Sequence, residues 1–141
     1  MTEEQAMLVD WLLEHADLIP VTARGTEEIS RVQIPFRSWA VTTHGAVILR
    51  PDGTPDSDWK AHMLESLSSY ADRLTSMQHI ITELMDARGI NAWARLNYEY
   101  EGTPVYLVMK HRDSTKLDEL NAVGDEIERV FSTEGFYIHR N

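Results

Sequence analysis

The densest run of functional groups in the chain is Lys110-His111-Arg112-Asp113. A histidine beside an acid has the makings of a general base with a group to orient it. That chemistry also needs a pocket and a substrate to act on. Here the run falls where a strand end leads into a helix, a place where charged side chains are ordinary, so no catalytic residue is assigned. Six histidines (His15, His44, His62, His79, His111, His139) are scattered along the chain. The nearest approach to a helical pair is His79 with Glu83, four apart on one face, and two ligands do not hold an ion that takes four. The acidic loop Asp52-Gly53-Thr54-Pro55-Asp56-Ser57-Asp58 fails the calcium-loop pattern. Its glycine comes too early, and Met63 stands where the closing glutamate belongs. No phosphate loop, dinucleotide fingerprint or nucleophile elbow is present. Neither a cofactor nor a metal is expected, and the chain reads as a non-enzyme.

Composition points the same way. With 141 residues, 43% hydrophobic and 26% charged, the chain fits one globular domain. It has no cysteine, which excludes disulfides and thiol chemistry. The acidic start, Met1-Thr2-Glu3-Glu4, suits neither a secretory signal nor a transit peptide, and no apolar run is long enough for a membrane span. A cytoplasmic protein with no membrane contact is expected. The net charge of −10 is unevenly placed. Residues 1–28 carry seven acids against one base, residues 113–134 seven against two, and residues 29–112 nine of each. Such a surface repels phosphate backbones, so nucleic acid is not an expected partner, whereas a basic protein is.

The elements that would carry these groups follow from periodicity. A first helix spans about residues 3–17, with Thr2 and Gln5 spaced as a capping box. Its apolar set (Met7, Leu8, Val9, Trp11, Leu12, Leu13, Ala16) covers more than half the circumference, so cover on more than one side is expected. Residues 29–36 alternate as an edge strand limited by Pro35. Residues 38–50 form a hairpin turning at His44-Gly45, with Val41 opposite Ile48 and Ala40 opposite Leu49. Thr54 is placed to cap a long helix running to about Arg88. A second hairpin turns at Glu101-Gly102, with Tyr98, Leu96 and Ala94 buried against Val105, Leu107 and Met109. Trp93 stands opposite Lys110 for a cation–π contact. A last helix covers about residues 115–131, and residues 135–139 suggest a final strand. The fold class is α+β: an antiparallel sheet of two hairpins plus an edge strand, one long central helix and two acidic terminal helices.

The long stretch Trp59–Gly89 carries apolar residues at every a and d position from Met63 to Leu84. Its width favours packing on the chain's own core. A break near Ser68-Ser69 or Thr75-Ser76 is allowed by the serines and threonines there. Its small polar flanks suit a second chain, hence an expected homodimer through residues 59–88. Tyr70 and Met77 represent that seam. Trp93, Arg95 and Tyr106 lie on the wetter face of the second hairpin, and Asp118, Glu119, Asp125 and Glu126 on the outer face of the last helix. These nine residues are the candidate partner-binding set.

The order α-β-β-β-α-β-β-α, with the small size and acidic charge, resembles the type III secretion chaperone-like fold and its YbjN-type relatives. The resemblance implies a small α+β protein, often dimeric through a central helix, that acts by holding other proteins. Taken with the residues, the leading expectation is a protein-binding adaptor or chaperone-like module. An immunity-type inhibitor of a basic toxin or enzyme is the first alternative. A small-ligand binder or enzyme using Trp93, Arg95, His111 or Tyr106 is the second.

Overall fold

The structure, a computed structural model, describes residues 1–140. It is α+β. The helices are α1 (Glu3–His15), α2 (Thr26–Ser30), α3 (Ser57–Ser68), α4 (Ala71–Ala87) and α5 (Leu117–Phe131). The strands form two separate two-stranded pairs, β1 (Ala40–Thr42) with β2 (Val47–Leu49) and β3 (Ala92–Glu99) with β4 (Thr103–His111). The chain divides into two compact units, residues 1–69 with 98–105, and residues 70–97 with 106 onward.

In the first unit the β1–β2 hairpin has the expected register, Val41 opposite Ile48 and Ala40 opposite Leu49. Its turn is His44-Gly45: both residues have positive φ, 55° and 91°, and the Ala46 N–H donates to the Thr43 carbonyl at 3.0 Å. Left-handed central residues match the twist of paired strands, which is why an X-Gly pair is favoured there. Thr43, just before it, also sits at φ 54°. That conformation is costly for a β-branched residue and needs support from its surroundings.

The support comes from Glu99. Its carboxylate accepts from the Thr43 hydroxyl at 2.6 Å, from the Thr26 backbone N–H at 3.0 Å and from the Thr26 hydroxyl. It thereby fixes the Thr43 turn and the start of α2 with one side chain. A Cβ on Gly25 would come within 3.2 Å of this carboxylate, so glycine is what leaves room for it. The neighbouring Gly25 N–H is held by Glu28 at 3.1 Å.

The edge strand expected at residues 29–36 does not form. Residues 26–30 are helical instead, started by those two glutamates, and the edge of β1 is already taken. The Val41 N–H donates to the Pro20 carbonyl and its carbonyl accepts from the Thr22 N–H, at 2.8 and 2.9 Å. Thr43 donates likewise to Arg24, at 2.8 Å.

The expected long helix is two helices. Ser66, Ser68 and Ser69 turn their hydroxyls back onto the carbonyls of His62, Glu65 and Ser66 at 2.9–3.1 Å, a competition with the helical ladder that bends or ends a helix. The cap of α3 is Asp56, whose carboxylate accepts from the Trp59 N–H at 3.0 Å. Thr54 does not cap it, being engaged with Asp52. The Trp59 indole donates to the Gly45 carbonyl at 3.0 Å, tying α3 to the hairpin turn.

The β3–β4 turn is centred on Tyr100-Glu101, with φ of 50° and 65° and a Gly102 N–H to Glu99 carbonyl bond of 3.3 Å. This is one residue earlier than Gly102 suggests. Tyr100 accepts the left-handed conformation because its ring is anchored. Its hydroxyl donates to the Ala46 carbonyl at 2.6 Å, and the Lys60 ammonium lies 5.7 Å from the ring centroid. Burial, and then the nearby charges of Glu99 and Asp56, push the Tyr100 phenol up to about 12. The folded state therefore holds this proton above the pH at which an unfolded tyrosine loses it, near 10. Its contribution to stability is complete below that value and is lost as pH rises towards 12. Tyr100→Phe should lower stability by about 1 kcal/mol at neutral pH, through the orphaned Ala46 carbonyl. It should also flatten the alkaline limb between pH 10 and 12. Urea midpoints across that range are the check, and an unchanged limb would contradict the assignment.

The second unit holds the larger core: Met77, Ile81, Met85, Val123, Ile127 and Phe131, with Ala92, Ala94, Leu107 and Met109 packed against it. Of the face expected of the second hairpin, Leu96 is buried, Ala94, Leu107 and Met109 pack on this core, Val105 is half-buried and Tyr98 is exposed. Moving the turn by one residue leaves the faces as they were, because pairing then shifts by two. On α5, Leu120, Val123, Ile127 and Phe131 face the core, whereas Leu117 and Val130 are exposed. Residues 135–139 form no strand; Phe136 and Ile138 lie on the core without a ladder partner. The broad element order behind the chaperone-like resemblance is kept, and it departs at the lost edge strand and the divided helix.

Candidate functional site

Three places combine reactive or recognisable side chains. The first is the run around His111. The His111 side chain is buried at the end of β4 and lines a cleft of about 340 Å³ with Arg88, Asn91, Lys116, Glu119 and Ala122. Its Nδ1 accepts the Asp113 N–H at 2.9 Å, so that nitrogen carries no proton and Nε2 carries the hydrogen. Nε2 faces Glu119 at 3.4 Å. Asp113 in turn accepts from the Thr115 backbone and hydroxyl, at 3.0 and 2.7 Å. Those bonds, the backbone one and above all the hydroxyl one, hold the Asp113 carboxyl below the usual range. Both ring nitrogens are thus engaged in fastening the loop that precedes α5. No hydroxyl or thiol lines the cleft, its lysine lies 3.8 Å from Glu119, and its arginine is paired with Glu126. The arrangement positions α5.

The second is the expected partner-binding set. Met77 is only 6% exposed and belongs to the second unit's core, as do Ile81 and Met85. Tyr70 is 43% exposed and meets Phe136 edge-on, with ring centroids 5.7 Å apart. Trp93 is half-buried, and its cation is Arg95, 5.3 Å away along the same strand, instead of Lys110. Tyr106 is half-buried. Of the acids on α5, Glu119 meets His111 and Lys116, Asp125 meets Arg140 at 2.6 Å, and Glu126 meets Arg88. Asp118 makes no ion pair among the described residues. The C-terminal acidic excess is therefore largely neutralised from within. His79 and Glu83 do pair, at 3.2 Å, in the open. No group of three metal-binding side chains is brought together among the described residues.

The third place is α1. The Thr2–Gln5 capping box forms in both directions, at 2.9 and 3.2 Å, and fixes where the helix begins. Ala6, Val9, Leu12 and Leu13 are half-buried. Met7, Leu8 and Trp11 stand on the other side, 68%, 57% and 55% exposed, and no residue of the helix is buried. The Trp11 ring is stacked on His15, with centroids 4.7 Å apart, while His15 Nδ1–H donates to the Trp11 carbonyl at 2.7 Å. The indole is thus held in one orientation while remaining open. Around it lie Glu3, Glu4, Asp10 and Glu14, each three or four residues from an exposed apolar one and so on the same side of the helix. None of the four is in an ion pair among the described residues.

Sequence reasoning put no α1 residue in the partner-binding set. The signal was present as the helix's excess apolar width. That width predicts cover by the chain itself, but among the described residues the outer face stays exposed at Met7, Leu8 and Trp11. No helix among the described residues is long and apolar enough to cross a membrane. No protein-family model matches the chain, and no curated protein is similar to it in sequence.

Proposed function

We propose that the protein is a non-enzymatic protein-binding module, a small acidic cytoplasmic adaptor or chaperone-like protein, and that α1 is its docking element. The observation that carries this reading is the uncovered outer face of α1. A helix apolar on more than half its circumference has no buried residue, and three large side chains project from it. Contiguous exposed apolar surface rimmed by charge is the usual mark of a protein–protein contact. A tryptophan held rigid by its neighbour is the kind of anchor that dominates such contacts, because little freedom is lost on binding.

The test is affinity capture from the protein's own cells with the full-length tagged chain, beside Leu8→Glu and Trp11→Glu variants. Both sites are exposed, so the variants should keep the wild-type circular dichroism. A discrete set of captured proteins should fall at least tenfold with either variant. Capture of the same set at the same yield would contradict the reading. Within the reading, several apolar-rich clients indicate a chaperone. One basic protein indicates an inhibitor, which the unpaired carboxylates around Trp11 also favour.

A further inference from the structure

The charge around the apolar face of α1 narrows what fits it. We infer, on the reading of α1 as the docking element, that its occupant is a cationic amphipathic helix of the partner, apolar along one side and flanked by lysine or arginine.

Three observations converge on this occupant. Residues 1–23 contain five acids and no lysine or arginine, and Glu3, Glu4, Asp10 and Glu14 surround Met7, Leu8 and Trp11. In contrast to Glu119, Asp125 and Glu126 of α5, these find no cation within the chain among the described residues. A partner would therefore meet open apolar surface and unneutralised carboxylates together. Oppositely charged flanks steer association and fix register, whereas like charges brought together disfavour the wrong partner.

That argument excludes two other occupants. A second copy of α1 would set the same four carboxylates against themselves. An anionic lipid surface would be repelled in the same way. The backbone narrows the choice further. The N–H and C=O groups of α1 are spent in its own helix, and Thr2 and Gln5 cap its start. A helix offers no edge to which a strand could add, so recognition by α1 runs through side chains on a face roughly 20 Å long at the usual helical rise. A partner helix with apolar residues at i, i+3 or i+4, and i+7 matches that length.

The test titrates the full-length protein with an 18-residue labelled peptide carrying leucine at helical spacing and lysine elsewhere. The same peptide with glutamate for lysine and phosphatidylcholine vesicles serve as comparisons. Two variants accompany the wild type: Trp11→Ser, and a combined Glu3→Gln, Glu4→Gln, Asp10→Asn, Glu14→Gln chain. All five positions are exposed, and circular dichroism checks the fold. The lysine peptide should bind, and weaken at least tenfold with each variant and with added salt; the glutamate peptide should not bind. Equal binding of the lysine peptide to the four-acid variant would overturn the cationic occupant while leaving α1 as a docking helix. An unchanged affinity in Trp11→Ser would place binding elsewhere and overturn both. Absence of lysine-peptide binding, vesicle binding lost with Trp11→Ser, or a dimer in light scattering lost with the same substitution would each overturn the inference.

Discussion

Met77→Glu should unfold the second unit, and Tyr70→Glu should leave it folded. Both residues belong to one apolar sequence pattern, but the structure separates them. Met77 is 6% exposed among Ile81, Val123 and Phe131, whereas Tyr70 is 43% exposed between α3 and α4. An uncompensated carboxylate in that core costs about 3–5 kcal/mol, a large part of the stability of a small domain. Losing the edge-on contact of Tyr70 with Phe136 costs only about 1 kcal/mol. The helices α4 and α5 lie in the same unit, so the circular dichroism lost during urea unfolding reports the difference. A folded Met77→Glu chain with an altered mass in solution would contradict this and return the stripe to a role between chains.

Glu99→Ala should be the most damaging polar substitution, at about 3 kcal/mol, since hydrogen bonds to a charged group are the stronger kind and three donors lose their acceptor together. Those donors are the Thr26 N–H, the Thr26 hydroxyl and the Thr43 hydroxyl. Thr43 would then keep its left-handed backbone, φ 54°, with its main support gone. Glu99→Gln should fall between, because an amide offers one acceptor where the carboxylate offers two. Denaturation midpoints of the three proteins decide it; an alanine variant as stable as wild type would mean that the turn holds itself.

What was legible in the sequence was mostly local. The His44-Gly45 pair announced its hairpin and register because glycine marks the left-handed position. The capping box of α1 and the core faces of α4 and α5 follow from spacing alone. The failures have a common cause in long-range competition. Residues 29–36 alternate like a strand, but residues 20–24 hold the β1 edge and two glutamates start a helix there instead. The second hairpin turn hid because Tyr100 and Glu101 take left-handed conformations without being glycine, and the Tyr100 ring is anchored on Ala46, 54 residues away. The spacing of the α5 acids predicts a docking face, but Arg88 and Arg140, distant in sequence, neutralise Glu126 and Asp125. The outer face of α1 was visible as surplus apolar width. Only the fold could show that, among the described residues, Met7, Leu8 and Trp11 stay exposed there.

The central claim, that this face is open in the isolated protein and covered by a partner at work, is tested most directly by hydroxyl-radical footprinting. Oxidation of Met7 and Trp11 would be quantified by mass spectrometry in the purified chain and inside the cell, with Met77 as the buried reference. The account predicts rapid labelling of both residues in the purified protein and protection of at least severalfold in the cell. Equal labelling in the two settings, or residues already as protected as Met77 in the purified chain, would contradict it.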